Sequence, residues 1–96
     1  MTRNRVHEIL LNSKEVARRQ YKAELKGIFG SFARNEASAD SDVDVLVEFQ
    51  KGATLLDLAG LGDFLEEKLQ RKVDVVTPAA IRQELKAQIY SDMVYL

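Results

Sequence analysis

Ser41-Asp42-Val43-Asp44-Val45-Leu46-Val47-Glu48-Phe49 (SDVDVLVEF, residues 41–49) is the stretch on which the architecture turns. Val43, Val45, Val47 and Phe49 alternate with Asp42, Asp44, Leu46 and Glu48, the two-residue period of a strand. A strand needs partners, and two other segments supply them. Upstream, Lys26-Gly27-Ile28-Phe29 is a short apolar run closed by Gly30, the pattern of a buried strand. Downstream, Lys72 to Thr77 (KVDVVT) is again β-branched and predicts a third strand.

The segments between them read as helices. Lys51-Gly52 makes a turn, and Thr54 with Asp57 three residues later forms a capping box that opens a helix to about Gln70. Leu55, Leu58, Leu61, Leu65 and Leu69 would line its buried face. Val6, Ile9, Leu10, Val16, Ala17 and Tyr21 place a helical stripe on residues 3–21, with a gap at Asn12-Ser13 where Asn12 and Glu15 could cap a second, separate helix. Ser31 to Glu36 predicts a short helix and Ala37 to Ser41 a loop. Pro78 suits the first turn of a last helix reaching about Tyr90. The reading is an α/β (α+β) domain over residues 1–96: a small mixed three-stranded sheet flanked by about four helices.

Composition excludes several functions. Fourteen Lys+Arg against fifteen Asp+Glu leave a net charge of -1, which argues against a general nucleic-acid binder. Zero cysteines remove disulfides, iron–sulfur clusters, thiolate zinc sites and thiol nucleophiles. A single histidine, His7, excludes zinc sites built on histidine pairs. No apolar run approaches the ~18–20 residues of a membrane span and nothing resembles a signal peptide, so the expected compartment is the cytoplasm.

The carboxylates carry the chemistry. Asp42 and Asp44 are two apart on a strand, so they share a face with Cα atoms ~6.5–7 Å apart. Acids that close repel one another unless a cation lies between them, and a hard, oxygen-ligating ion such as Mg²⁺ is the natural occupant. Asp74, between Val73 and Val75, is expected to be mostly buried, and if its strand lies beside residues 43–49 it completes a cluster of three acids. The plain alternative is an edge strand with Asp42 and Asp44 in solvent and Asp74 paired with Lys68 or Lys72. An EF-hand does not fit, because the glycine position holds Val45 and the twelfth position Lys51.

Gly30-Ser31, directly after a buried strand, is the second element. Glycine lets a ligand approach the backbone, and amides at a helix start together with the Ser31 hydroxyl favour an anion. Arg34, one turn on, can reach a phosphate. A structural turn would look the same, and no Walker A glycine–lysine pattern is present. Gly60 and Gly62 fall inside a helical pattern and suit close packing. If the first two strands run antiparallel, the anion cradle and the carboxylates meet at one end of the sheet. Anion donors beside a divalent-metal site suit a nucleoside triphosphate.

The set Gly30-Ser31-Phe32-Ala33-Arg34, Ala37, Ser41-Asp42-Val43-Asp44-Val45-Leu46-Val47 and Val73-Asp74-Val75-Val76-Thr77 resembles the DNA polymerase β-type nucleotidyltransferase superfamily, specifically its minimal branch. The similarity covers nearly the whole chain, including the Leu85 to Leu96 segment. One departure is Asn35 where many members have glycine, and asparagine tolerates the left-handed conformation. The resemblance implies a nucleotidyltransferase fold, triphosphate binding by Gly30, Ser31 and Arg34, and two-ion Mg²⁺ binding by Asp42 and Asp44. Asp74 would complete the metal site or assist deprotonation of the acceptor. It also implies an adenylyltransferase that moves AMP from ATP to a tyrosine of a helical HEPN ribonuclease toxin, acting as its antitoxin in a homo- or hetero-oligomer. Two alternatives are a non-catalytic antitoxin that covers its partner sterically and transfer to a small molecule.

Overall fold

The computed structural model describes all residues 1–96. Helix α1 (Arg3–Tyr21) leads into strand β1 (Ala23–Phe29), the one-turn helix α2 (Gly30–Ala33), β2 (Val43–Phe49), α3 (Leu55–Leu69) and β3 (Val73–Val76). A 3-10 turn (Pro78–Ala80), α4 (Gln83–Asp92) and a two-residue strand β4 (Val94–Tyr95) close the chain.

The four strands lie in the order β3-β2-β1-β4. β1 runs antiparallel to β2 and to β4, while β2 and β3 are parallel and joined across the sheet by α3. The sheet therefore has one strand more than the three expected. Two residues are too short for any periodicity to register, and β4 exists only because its backbone meets β1: Gly27 pairs with Tyr95 and Ile28 with Val94. The Leu96 amide donates to the Lys26 carbonyl at 3.0 Å, and His7 Nε2 lies 3.0 Å from the Tyr95 carbonyl oxygen. Gly27 makes room for this arrangement, since a Cβ there would sit 2.5 Å from Met93 Sδ.

α1 is a single helix. Thr2 caps it by accepting from the Arg5 amide, and Lys22 ends it in the left-handed region at φ 54. The break considered at Asn12-Ser13 does not occur because Ser13 is buried and its hydroxyl donates to the Ile9 carbonyl one turn back at 2.8 Å. Val6, Leu10, Ser13 and Ala17 thus form one uninterrupted buried stripe. β1 begins at Ala23 rather than Lys26, since Ala23 and Leu25 are also buried.

Thr54 and Asp57 form the expected capping box of α3, with the Thr54 amide donating to Asp57 Oδ2 at 2.9 Å. Leu61, Leu65 and Leu69 are buried as expected, but Leu55 is 82% exposed, as is Leu56 at 84%, because the first turn of α3 lies outside the core. Gly60 packs on Tyr21, where a Cβ would meet the ring at 2.7 Å, whereas Gly62 faces open space and serves no packing. Pro78 opens only the 3-10 turn. Ile81 then returns to extended backbone (φ -82, ψ 129) and buries its side chain, and α4 starts afresh at Gln83.

The two faces of the sheet have different tasks. Val43, Val45 and Val47 join Val6, Leu10, Leu61, Leu65 and Leu69 in the main core under α1 and α3. Leu46 belongs to a small second cluster with Ile81 and Met93, bordered by Phe29, Val76 and Ile89. Residues two apart on a strand share a face, so Asp44 lies on the Leu46 side and Asp74 on the Val76 side. No helix is long and apolar enough to cross a membrane.

Candidate active site

The antiparallel pairing of β1 and β2 brings the two sequence elements together. Phe29, the last residue of β1, is in register with Asp44, so Gly30 follows directly beside that carboxylate. Gly30 has φ 73, and a Cβ added to it would overlap Asp44 Oδ2. Both the backbone conformation and the close approach require glycine here. Across the other edge of β2, the parallel pairing sets Asp44 in register with Asp74. Asp42 precedes β2 by one residue, completing the group.

Burial falls on a different acid from the one expected. Asp74 is exposed and Asp44 is half-buried. β3 is the edge strand of the sheet, so its outward face is bathed in water although its neighbours are valines. Burial first, then the charges of Asp74 and Asp42, push the Asp44 carboxyl up from 3.8 to about 6, and Arg34 pulls it partway back. None of the five ion pairs of the chain includes Asp42, Asp44 or Asp74, so the expected alternative of an Asp74–lysine pair is absent.

The three carboxylates do not converge into a closed metal cage. Mutual repulsion gives them reason to stay apart without a cation between them. The donor set nonetheless fits a hard divalent ion: it is all carboxylate oxygen, and the strained charge on Asp44 is what a cation would relieve. An adjoining cleft of about 260 Å³ is lined by Asp44 and Asp74 together with Val76, Ile81, Leu85 and Ile89.

The cradle side is held by short-range bonds. α2 is one turn, Gly30–Ala33, rather than a helix reaching Glu36. Its end is tied by the Arg34 amide donating to the Gly30 carbonyl at 3.1 Å and by Arg3 Nη1 donating to the Ala33 carbonyl at 3.1 Å. The Ser31 carbonyl accepts from the Glu36 amide at 2.8 Å, and Ser31 is partly exposed with its hydroxyl free of protein partners. Arg34 pairs with Glu36 at 3.0 Å on the exposed rim. Asn35 adopts φ 59, the left-handed conformation anticipated at the position where glycine is frequent.

One residue of this neighbourhood had no signal in the sequence. Arg71, in the turn between α3 and β3, donates from Nη1 to the carbonyls of Ala39 (2.8 Å), Ser41 (3.1 Å) and Ser38 (3.4 Å). Thirty residues separate it from Ser41, and an arginine after a helix ordinarily reads as a solvated charge.

Comparison with known proteins identifies the family and the fold. A family model described as a nucleotidyltransferase domain matches residues 12–96. The chain is 32% identical over 96 residues to the protein adenylyltransferase MntA of Thermococcus cleftensis, covering 100% of this chain and 97% of that one. It is 38% identical over 96 residues to a candidate protein adenylyltransferase of Methanocaldococcus jannaschii, covering 99% and 98%. Among solved structures, a candidate minimal nucleotidyltransferase superposes with a TM-score of 0.77 at 34% identity, over 100% of this chain and 97% of that one. A toxin–antitoxin structure with AMP-PNP shares the fold at a TM-score of 0.66 and 20% identity, over 99% of this chain and 72% of that one.

Proposed function

This chain belongs to the nucleotidyltransferase family, and on that premise we propose that it is a Mg²⁺-dependent protein adenylyltransferase that moves AMP from ATP to a tyrosine of a HEPN-type toxin, working as one domain. The observation that carries the reading is the packing of Gly30 against Asp44 with Asp74 in register on the far side. An anion-binding turn and an acidic cluster share one wall, so a triphosphate can lie on the first with its α-phosphorus near the second.

In this reading the phosphates rest on the backbone of Gly30 and Ser31, with the Ser31 hydroxyl as a further donor and Arg34 at the rim. The tyrosyl oxygen attacks the α-phosphorus, forming a new P–O bond as the bridge to the β-phosphate breaks and pyrophosphate leaves. The phenolic proton passes to a carboxylate, and exposed Asp74 is the accessible one. Asp42, Asp44 and Asp74 would hold Mg²⁺, which supplies neutralisation of the phosphate charge. What this chain's own residues contribute is position: they set donor and acceptor at a fixed separation.

The relatives support protein adenylyl transfer through what they are named for, and the family resemblance supports the toxin partner. The test uses ATP labelled on the α-phosphate, Mg²⁺ and a HEPN-type protein co-expressed with this chain. Label should appear on a tyrosine of that protein with the parent chain and not with the Asp42→Ala/Asp44→Ala variant. A parent chain that binds its partner and neutralises it without transferring label would instead establish steric antitoxin action.

A further inference from the structure

We propose that Arg71 is a positioning residue for nucleotidyl transfer, clamping the loop that separates the Gly30-Ser31 turn from Asp42; this rests on the transfer reading above. Residues 34–40 are all exposed, so no core contact places this loop. Its own bonds organise each end separately. The Glu36 amide returns to the Ser31 carbonyl at 2.8 Å, while the Ser38 amide and Ser41 Oγ pair at 2.9 Å and the Ser41 amide donates to the Ser38 carbonyl at 3.2 Å. Nothing within the loop joins the first of these groups to the second.

Arg71 does. Nη1 reaches the carbonyls of Ser38, Ala39 and Ser41, and the guanidinium carbon lies 5.3 Å from the centroid of the Phe32 ring. Phe32 is the neighbour of Ser31 and is buried; Ser41 is the neighbour of Asp42. A single side chain thus connects the residue beside the cradle hydroxyl to the residue beside the first carboxylate.

Its anchor is itself rigid. Gln70 turns the chain at φ 52 after α3, and the adjacent Lys72 carbonyl accepts from the Val43 amide at 2.9 Å, starting the β2–β3 pairing. Arg71 makes no ion pair, so its charge serves these carbonyls. Only a planar guanidinium can donate in its plane while stacking its face on a ring; an ammonium offers a point charge. Arg71 lies in neither core cluster, so packing does not account for it.

Arg71→Met keeps the apolar stem and removes the donors. Small displacements of a group near the reaction centre cost on the order of 100-fold in rate, so kcat should fall about 10- to 100-fold. The affinity for ATP in Mg²⁺, measured by titration calorimetry, should stay within about threefold, because Gly30 and Ser31 keep their own anchors. Arg71→Lys should recover part of the loss while remaining about tenfold or more below the parent. The Ser38 and Ser41 amides, the two in this segment that donate hydrogen bonds, should exchange about tenfold faster in Arg71→Met, measured by hydrogen–deuterium exchange on the full chain, with β1 and β2 unchanged. All rates are taken at a temperature where circular dichroism shows each variant folded, and Arg71→Lys carries the test if Arg71→Met does not fold. Parent-like turnover, unchanged exchange in the loop, or full activity in Arg71→Lys would each overturn the clamp. If the parent itself transfers no label, the transfer reading falls and the loop exchange alone decides whether the clamp exists.

Discussion

Asp44→Asn should make the metal-free protein more stable at neutral pH and remove a specific part of its pH dependence. The Asp44 carboxyl is raised from 3.8 to about 6 by burial and by its acidic neighbours. Between those values the native state holds a proton that the unfolded chain has released, so stability falls as pH rises through about 4 to 6. Taken at face value the displacement from 3.8 to about 6 corresponds to ~3 kcal/mol. Asp44 is only half-buried, and solvent screening brings the expected cost to ~1–2 kcal/mol above pH 7. Asparagine keeps the shape and carries no charge, so the variant should gain that amount at pH 7 and little or nothing near pH 4. For a domain this size each kcal/mol moves Tm by roughly 4–8 °C. The measurement is urea unfolding of both proteins in a chelator across pH 4–7.5, read as the difference between them so that other carboxylates cancel. Adding Mg²⁺ should stabilise the parent above pH 6 and leave the variant less affected. A difference that is flat with pH, or that grows toward acid, would refute the assignment of charge strain to Asp44.

Gly30→Ala places a methyl group on Asp44 Oδ2 in a left-handed backbone, so it should cost at least ~1–2 kcal/mol and abolish transfer, checked by melts beside the labelled-ATP assay. Ser31→Ala removes one hydrogen bond to a charged phosphate and should weaken ATP binding by ~1.5–3 kcal/mol in calorimetry without moving Tm. Gly62→Ala, facing open space in α3, should stabilise by up to ~1 kcal/mol, while Gly60→Ala should destabilise by pushing on the Tyr21 ring; thermal melts of the two variants should shift in opposite directions.

The two-residue period of residues 43–49, the capping box at Thr54 and the paired acids at 42 and 44 were legible in the sequence, because each depends on residues within one turn or one strand of each other. The left-handed Asn35 was anticipated through the family resemblance, and Gly30 as a place where backbone is approached closely, whereas its positive φ and its contact with Asp44 belong to the fold. What tertiary structure alone decided depends on residues far apart in the chain. β4 is a strand only because Val94 and Tyr95 meet β1 across more than sixty residues, with Gly27 clearing the way for Met93. Valines on both sides of Asp74 suggested burial, yet its strand closes the edge of the sheet, and water reaches it while the inner neighbour Asp44 bears the desolvation. Arg71 could not be distinguished from a solvated cation until three loop carbonyls and a phenyl ring converged on it. Periodicity and capping are local and survive in one dimension. The burial of a charge, the edge of a sheet and the partners of a guanidinium are properties of which distant segments become neighbours, and these only the folded chain settles.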